Sequence, residues 1–195
     1  MNSEDISKIN SLLSSPKNIV VVGHKNPDGD AVGSCLGLGN FLKQKGHQVQ
    51  VIMPNDFPDF LKWIPEASTI INYEQQQEQT KEAVQKAALI FTLDFNALNR
   101  TGDLANELEQ ATADFILIDH HQQPDDYAVV TYSDVSMCST CEMVFHFMEN
   151  LNGIHLLNKE IATQLYVGIM TDTGSFRYPA TTATFPAIIT SVALL

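Results

Sequence analysis

The sequence is poor in cysteine and in basic residues, and it has no apolar run long enough to cross a bilayer. Its three cysteines, Cys35, Cys138 and Cys141, are too few for a disulfide framework, which indicates a reducing compartment. The first residues lack the basic region and apolar core of a signal peptide. These absences together predict a cytoplasmic protein that does not contact the membrane.

Basic residues are outnumbered, because 11 Lys and Arg stand against 23 Asp and Glu, for a formal net charge of −12. Binding to long nucleic acids depends on neutralising many phosphates with basic side chains. The balance therefore argues against duplex DNA as a partner. An acidic excess is, by contrast, what a protein that binds divalent cations shows when its metals are not counted.

Strand-like and helix-like patterns alternate along the chain. This rhythm predicts an α/β fold with a doubly wound, mostly parallel sheet flanked by helices. The predicted helices cover residues 3–13, 31–45, 73–86 and 103–110, followed by two helices capped by Ser139 or Thr140 and by Asn158. The predicted strands cover residues 18–22, 48–53, 88–93, 115–118 and 128–132.

Residues that can ligate metals follow several predicted strands. Asp119, His120 and His121 come directly after the apolar run 115–118. The same placement recurs elsewhere, since His24, Asp28 and Asp30 follow the first strand and Asp94 follows residues 88–93. Because the carboxyl ends of parallel strands meet at one edge of a sheet, we expect the side chains that follow these strands to converge. A further acid, Asp172, ends a helical pattern.

Convergence of so many carboxylates requires positive charge among them. Each adjacent pair would repel by about 4 kcal/mol at an effective dielectric near 20. We therefore predict two bound divalent cations, with Mn²⁺ favoured by the mixture of carboxylates and imidazoles and with Mg²⁺, Co²⁺ or Fe²⁺ as alternatives.

The segment from Asn26 to Asp30 reads as a turn, with Pro27 and Gly29 setting its backbone angles, so its two acids can face different metals. Gly33 and Ser34 are predicted to open the following helix, whose free amides could receive a phosphate oxygen. Taken alone, the turn fits an ordinary Asp-rich turn that caps a helix better than a metal site. Asp94 alone could likewise be a helix cap or turn former, and Asp172 could merely end its helix.

With these motifs in hand, the chain resembles the DHH phosphoesterase superfamily, which is named for the tripeptide seen here at 119–121. The resemblance runs from about His24 to Arg177, and the segment 24–34 is most similar to the bifunctional oligoribonuclease and pAp phosphatase branch. It implies one metal held by His24, Asp28 and Asp94, and a second held by Asp30, Asp94, His120 and Asp172. It also implies that Asp119 orients an imidazole and that His121 contacts the phosphoryl group or protonates the leaving oxygen.

The resemblance implies a phosphohydrolase that cleaves pAp and very short single-stranded oligonucleotides with a water activated by two metals. Arg100 and Arg177, with Ser34, are the candidate substrate-binding residues. Whether the chain forms a homodimer is an open question at this point. The alternatives are a pyrophosphatase, an exopolyphosphatase or a cyclic-dinucleotide phosphodiesterase of the same superfamily. Two further alternatives belong to other functional classes. One is a regulatory module that binds a nucleotide without cleaving it, and the other is a redox protein that uses Cys138 and Cys141.

The end of the sequence carries an expectation about domains. Members of this branch continue into a smaller carboxyl-terminal domain with a Gly-rich, His-containing substrate motif, and nothing in the 195 residues matches it. We expect residues 1–180 to form the metal-binding catalytic domain. Residues 181–195 would then begin a helix that leads to a second domain outside this sequence.

Overall fold

The parallel sheet of this computed structural model, which describes residues 1–178, is built from strands that alternate with helices. In chain order the elements are α1 (Ser3–Leu12), β1 (Asn18–Val22), α2 (Gly29–Gln44), β2 (Gln48–Met53), β3 (Ile71–Asn72), α3 (Gln77–Lys86), β4 (Leu89–Leu93), α4 (Ala105–Glu109), β5 (Asp114–Asp119), β6 (Val130–Ser133), α5 (Thr140–Asn150) and α6 (Lys159–Asp172). Short 3-10 turns lie at Asp59–Leu61, Ala67–Thr69, Leu98–Leu104 and Ile154–Leu156.

The six strands are ordered β3-β2-β1-β4-β5-β6, and every neighbouring pair is parallel. The chain builds outward from β1 through β2 to β3, then crosses to β4 and builds outward in the other direction. The direction reverses between β1 and β4, where Val21 pairs with Phe91. In sheets of this kind such a switch point opens a crevice beyond the carboxyl ends of the strands, and ligands bind there.

Helices cover both faces of the sheet, so the central strands are apolar on both sides. In β4, Leu89, Phe91 and Leu93 face a large core shared with α2, α5 and α6, while Ile90 faces a smaller core shared with α3 and α4. Phe91 meets Phe147 of α5 edge to face, with ring centroids 5.9 Å apart. The predicted doubly wound α/β fold is confirmed, and here the sheet is entirely parallel.

Several elements differ from the sequence prediction. The edge strand β3 was not predicted, because two residues show no periodicity. The helix predicted over 73–86 begins only at Gln77, since residues 73–76 form a turn. Helix α2 begins at Gly29 rather than at residue 31, because the carboxylate of Asp28 caps it by accepting the amides of Asp30 and Ala31, each at 3.0 Å. The predicted caps Ser139 and Asn158 are confirmed.

The helix expected over residues 181–195 lies outside the described residues. Within residues 1–178, none of the helices is long and apolar enough to span a membrane.

Close packing of α6 against α2 and α5 depends on a glycine. A Cβ added at Gly168 would lie 2.1 Å from the sulfur of Cys141 and 3.1 Å from the Cα of Asp30. A side chain at this position would therefore force apart the helices that hold one of the candidate metal ligands.

We expect Gly168→Ala to lower the free energy of unfolding by about 1–3 kcal/mol, because overpacking outweighs the roughly 1 kcal/mol gained in helix propensity. Denaturant titration measures the change. Thr163→Ala, on the same helix but partly exposed, is the matched control and should change stability little. A Gly168→Ala protein at least as stable as the parent would contradict this account of the helix packing.

Candidate metal centre

The predicted ligands converge at the switch point between β1 and β4. His24 lies in the loop after β1, Asp28 caps α2 and Asp30 lies in its first turn. Asp94 directly follows β4, His120 directly follows β5, and Asp172 is the last residue of α6. The convergence is possible because every one of these elements ends or begins at the same edge of the sheet.

Asp94 lies between two imidazoles. Its Oδ2 atom is 3.5 Å from Nε2 of His24, and its Oδ1 atom is 3.6 Å from Nε2 of His120. The backbone of Asp94 is left-handed, with φ of 65°, a conformation that is uncommon outside glycine and tends to occur at functional sites. Its carboxylate therefore presents one oxygen to each side of the crevice, as a bridging metal ligand must.

Two groups of candidate ligand atoms meet at this position, one of which includes Asp94 itself. In each group the atoms lie within 4.8 Å of one another. The first comprises His24, Asp28 and Asp94, and the second comprises Asp30, His120 and Asp172. His120 Nε2 is 3.6 Å from Asp172 Oδ2 and 4.0 Å from Asp30 Oδ2. A further grouping of Asp94 with His120 and His121 satisfies the same distance limit.

The tautomers of both candidate ligand histidines suit a metal. His24 Nδ1 is 2.9 Å from the carbonyl oxygen of Lys25, and His120 Nδ1 is 3.3 Å from that of Met137. A carbonyl can only accept, so in each neutral ring Nδ1 carries the hydrogen and Nε2 keeps its lone pair. Both Nε2 atoms face the carboxylates, and a hydrogen-bonded Nδ1 is the arrangement typical of metal-binding histidines.

The carboxylates lack sufficient positive charge from the protein. Burial raises the pKa of Asp30 well above its usual value, and the charges of Asp94 and Asp172 raise it further. Burial likewise raises the pKa of Asp172, although His120 opposes the shift. Burial disfavours a charged His24, yet the hydrogen bond and charge of Asp94 raise its pKa. Divalent cations would relieve this repulsion, and the mixed oxygen and nitrogen donors suit Mn²⁺ and similar ions.

The amino terminus of α5 holds two of the carboxylates in place, which sequence reasoning missed. The Thr140 amide donates to Asp30 Oδ2 at 2.6 Å, and the Cys141 amide donates to Asp30 Oδ1 at 2.9 Å. The Thr140 hydroxyl also donates to Asp94 Oδ1 at 2.9 Å. The one available signal was the Ser139 cap, which located the helix terminus but could not show what its free amides contact.

Asp119 orients His121. Asp119 is fully buried, and its Oδ1 atom accepts a 2.7 Å hydrogen bond from Nδ1 of His121. This hydrogen bond raises the pKa of His121, although partial burial opposes the shift. The His121 side chain is 47% exposed, which leaves it accessible from the crevice. The pair therefore has the geometry of an imidazole held ready to give or take a proton through Nε2.

The predicted substrate-binding residues have different surroundings. Arg100 is exposed in the loop after β4, and its carbonyl oxygen accepts the Lys25 amide at 2.9 Å, which places it beside His24. Arg177 is exposed in the turn after α6, five positions beyond Asp172. Arg100 therefore borders the crevice beside His24.

Ser34 does not fit its predicted role. Since α2 begins at Gly29, Gly33 and Ser34 lie in its second turn, where amides bond to carbonyls of the preceding turn. The Ser34 side chain is fully buried and donates to the Ala31 carbonyl oxygen at 3.3 Å. The expectation that these amides and this hydroxyl meet a phosphate is therefore wrong.

The two cysteines of the redox alternative lie in and before α5. Cys141 is fully buried, and burial raises the pKa of its thiol well above the usual value. Reactive cysteines need accessible thiolates, so the structure disfavours a redox role for this pair.

The fold and this cluster define a class of protein: a doubly wound α/β domain that gathers, at its switch point, carboxylates and imidazoles able to hold a divalent metal. The comparison with known families makes this more specific. The family model described as "DHH family, N-terminal domain" matches residues 18–169, and the chain belongs to that family.

Curated relatives agree with the branch that the resemblance indicated. The chain is 32% identical, over 84% of its length, to the bifunctional oligoribonuclease and PAP phosphatase NrnA of Thermus thermophilus, of which it covers 46%. It is 23% identical, over 92% of its length, to the cyclic-di-AMP phosphodiesterase PdeA of Listeria monocytogenes, of which it covers 28%. The resemblance to the oligoribonuclease and pAp phosphatase branch is thus confirmed, and the chain spans about half the length of such relatives or less.

A solved structure described as an exopolyphosphatase-related protein from Bacteroides fragilis superposes with a TM-score of 0.96 at 36% identity, over 98% of this chain and 57% of that one. The exonuclease RecJ bound to manganese superposes with a TM-score of 0.58 at 16% identity, over 97% of this chain and 46% of that one, and supports the fold alone.

Proposed function

We propose that this protein is a metal-dependent phosphohydrolase that removes phosphate from pAp and mononucleotides from very short oligonucleotides. The observation that carries the proposal is Asp94, with one carboxylate oxygen toward His24 and the other toward His120. The substrate class is proposed from the relatives that are named as oligoribonucleases and PAP phosphatases.

The ligand residues would hold two divalent cations, Mn²⁺ in preference to Mg²⁺ or Co²⁺, with Asp94 shared between them. Bound there, the cations would supply Lewis acidity to the phosphoryl oxygens and acidify a water molecule. The protein's part is positioning: Thr140 fixes Asp94 and Asp30, and the carbonyls of Lys25 and Met137 fix the two imidazoles.

Proton transfer and phosphate binding fall to other residues. His121, held by Asp119, would protonate the oxygen that leaves phosphorus, since the Asp119 carboxylate hydrogen-bonded to Nδ1 stabilises the charged, proton-donating ring. Arg100 and Arg177 would each bind a phosphate group of the substrate, because a guanidinium matches a phosphate with paired hydrogen bonds.

The proposed activity is tested by incubating the protein with Mn²⁺ and separately with pAp, a dinucleotide, pyrophosphate, polyphosphate and cyclic-di-AMP. We expect release of phosphate from pAp and of mononucleotide from the dinucleotide, and no release when EDTA is present. Cleavage of cyclic-di-AMP or polyphosphate instead would retain the chemistry and replace the substrate. No turnover of any phosphoester by metal-loaded protein would reject the function.

We expect His121→Gln to reduce kcat on pAp by about 10²–10⁴, the usual contribution of a positioned proton donor, with metal content unchanged. The loss should be much smaller on a p-nitrophenyl ester, whose leaving oxygen needs no proton. His155→Gln, which alters an exposed histidine in a 3-10 turn, is the control and should keep full activity. Equal losses on both substrates would exclude leaving-group protonation by His121.

A further inference from the structure

A groove of about 620 Å³ opens beside the metal centre. The charged side chains in its lining are basic, although the protein as a whole is acidic. Its lining comprises His24, Lys25, Asn26, Asn99, Arg100 and Gly102. His24 also faces Asp94, so the groove and the metal centre share a wall. The lining contains no acidic side chain and no Phe, Tyr or Trp, and therefore suits an anionic, hydrophilic group rather than a nucleobase.

Two cations in this groove have no acidic partner. Within residues 1–178, four lysines pair with carboxylates, namely Lys43, Lys62, Lys81 and Lys86. Lys25 and Arg100 are among the basic residues of this range that form no ion pair, and they line the same groove. In a chain of net charge −12, two unpaired cations side by side mark a place where an anion from outside would be attracted.

Lys25 is held in the groove by the backbone around it. Its amide donates to the Arg100 carbonyl oxygen at 2.9 Å, which ties the loop after β1 to the loop after β4. Its side chain lies along Gly102, where an added Cβ would be 2.9 Å from Lys25 Cδ and 3.4 Å from Nζ. Gly102 has φ of 61° and ψ of −133°, a conformation that strongly favours glycine. The loop thus leaves room for the lysine stem and limits where its ammonium can lie.

We propose that Lys25 and Arg100 form a second phosphate subsite, separate from the metal centre, which selects substrates that carry two phosphate groups. One phosphate would be bound for cleavage between the candidate metal ligands, and the other would lie in the groove. This inference rests on the proposed function and extends it: a nucleoside bisphosphate or a 5′-phosphorylated dinucleotide would be preferred over a nucleoside monophosphate.

The test compares adenosine 3′,5′-bisphosphate with AMP. Binding of each is measured by calorimetry with Mn²⁺ in the His121→Gln background, where turnover is slow, and hydrolysis is measured with His121 intact. Lys25→Gln removes the charge and Lys25→Arg retains it. The control is Lys159→Gln, which alters an exposed lysine at the opposite end of α6, about 20 Å from Asp172.

We expect Lys25→Gln to weaken bisphosphate binding about tenfold and to change AMP binding by less than about twofold, the size expected for one charge-assisted hydrogen bond. Lys25→Arg should restore most of the loss, and Lys159→Gln should cause none. Equal weakening of both nucleotides, or no weakening of either, would overturn the subsite.

The two proposals fail in different ways. Hydrolysis by the parent protein, together with unaltered selectivity in Lys25→Gln, would overturn the subsite and leave the phosphohydrolase function. Selective loss of bisphosphate binding in a protein that hydrolyses no phosphoester would leave the subsite and overturn the function.

Discussion

Asp94→Asn should reduce phosphoester hydrolysis by at least about 10³, which corresponds to a barrier increase of about 4 kcal/mol. The reason is geometric: among residues 1–178, Asp94 is the one carboxylate whose two oxygens face His24 and His120, so its replacement affects both candidate metal positions. Asparagine has nearly the same shape but carries no charge and only one oxygen. It cannot bridge two cations as a carboxylate does.

The substitution should leave the fold intact, which separates loss of chemistry from loss of structure. Asparagine keeps an oxygen to accept the Thr140 hydroxyl, which donates to Asp94 in the parent protein. Removal of one charge also relieves repulsion with Asp30 and Asp172 when metal is absent. We therefore expect circular dichroism and the melting temperature of the metal-free protein to be unchanged or improved.

Metal analysis completes the experiment. The parent protein should bind about two Mn²⁺ per chain, as a two-metal centre requires, and Asp94→Asn should bind fewer or bind them more weakly. Asp126→Asn, an exposed acid in the loop after β5, is the control and should keep both activity and metal. Full activity in Asp94→Asn would remove the bridging role on which the proposed function stands.

Much of the fold and of the site was accessible from the sequence because two kinds of pattern are local. Apolar runs such as residues 18–22 and 115–118 fix the central strands, and the alternation with helices implies parallel pairing. Parallel pairing in turn sends Asp94 and His120 to one edge without knowledge of any contact. The prediction of convergence therefore needed only the order of elements and the position of each residue within them.

What the sequence could not supply depends on tertiary contacts. The hydrogen bonds from Thr140 and Cys141 to Asp30 come from backbone amides, which every residue has, so no residue type signals them. The role predicted for Ser34 was wrong for a related reason. Helix α2 begins two residues earlier than predicted, so Ser34 lies in a buried turn of the helix and not at its terminus. Boundaries of elements are the least certain part of any pattern-based prediction, and here one boundary decided a functional role.

Metal binding should stabilise the protein by an amount that a melting curve can detect. A ligand that binds only the folded state stabilises it by about 2.7 kcal/mol at a hundred times its dissociation constant. A domain of this size gains roughly 2–4 °C for each kcal/mol, so saturating Mn²⁺ should raise the melting temperature by about 5–10 °C over EDTA-treated protein. The carboxylates that would bind the cations repel one another in the metal-free protein. They lie after β4, at the start of α2 and at the end of α6.

The variants distinguish specific binding from a general effect of salt. Asp126→Asn should keep the whole Mn²⁺-dependent increase in melting temperature, whereas Asp94→Asn should lose most of it, because its single remaining oxygen cannot serve both candidate cation positions. Substituting NaCl at equal ionic strength should not reproduce the increase, since partly buried charges are screened less than exposed ones. Coincident melting curves for EDTA-treated and Mn²⁺-loaded parent protein would mean that the carboxylates tolerate their proximity without metal, and the centre inferred from Asp94 would have to be abandoned.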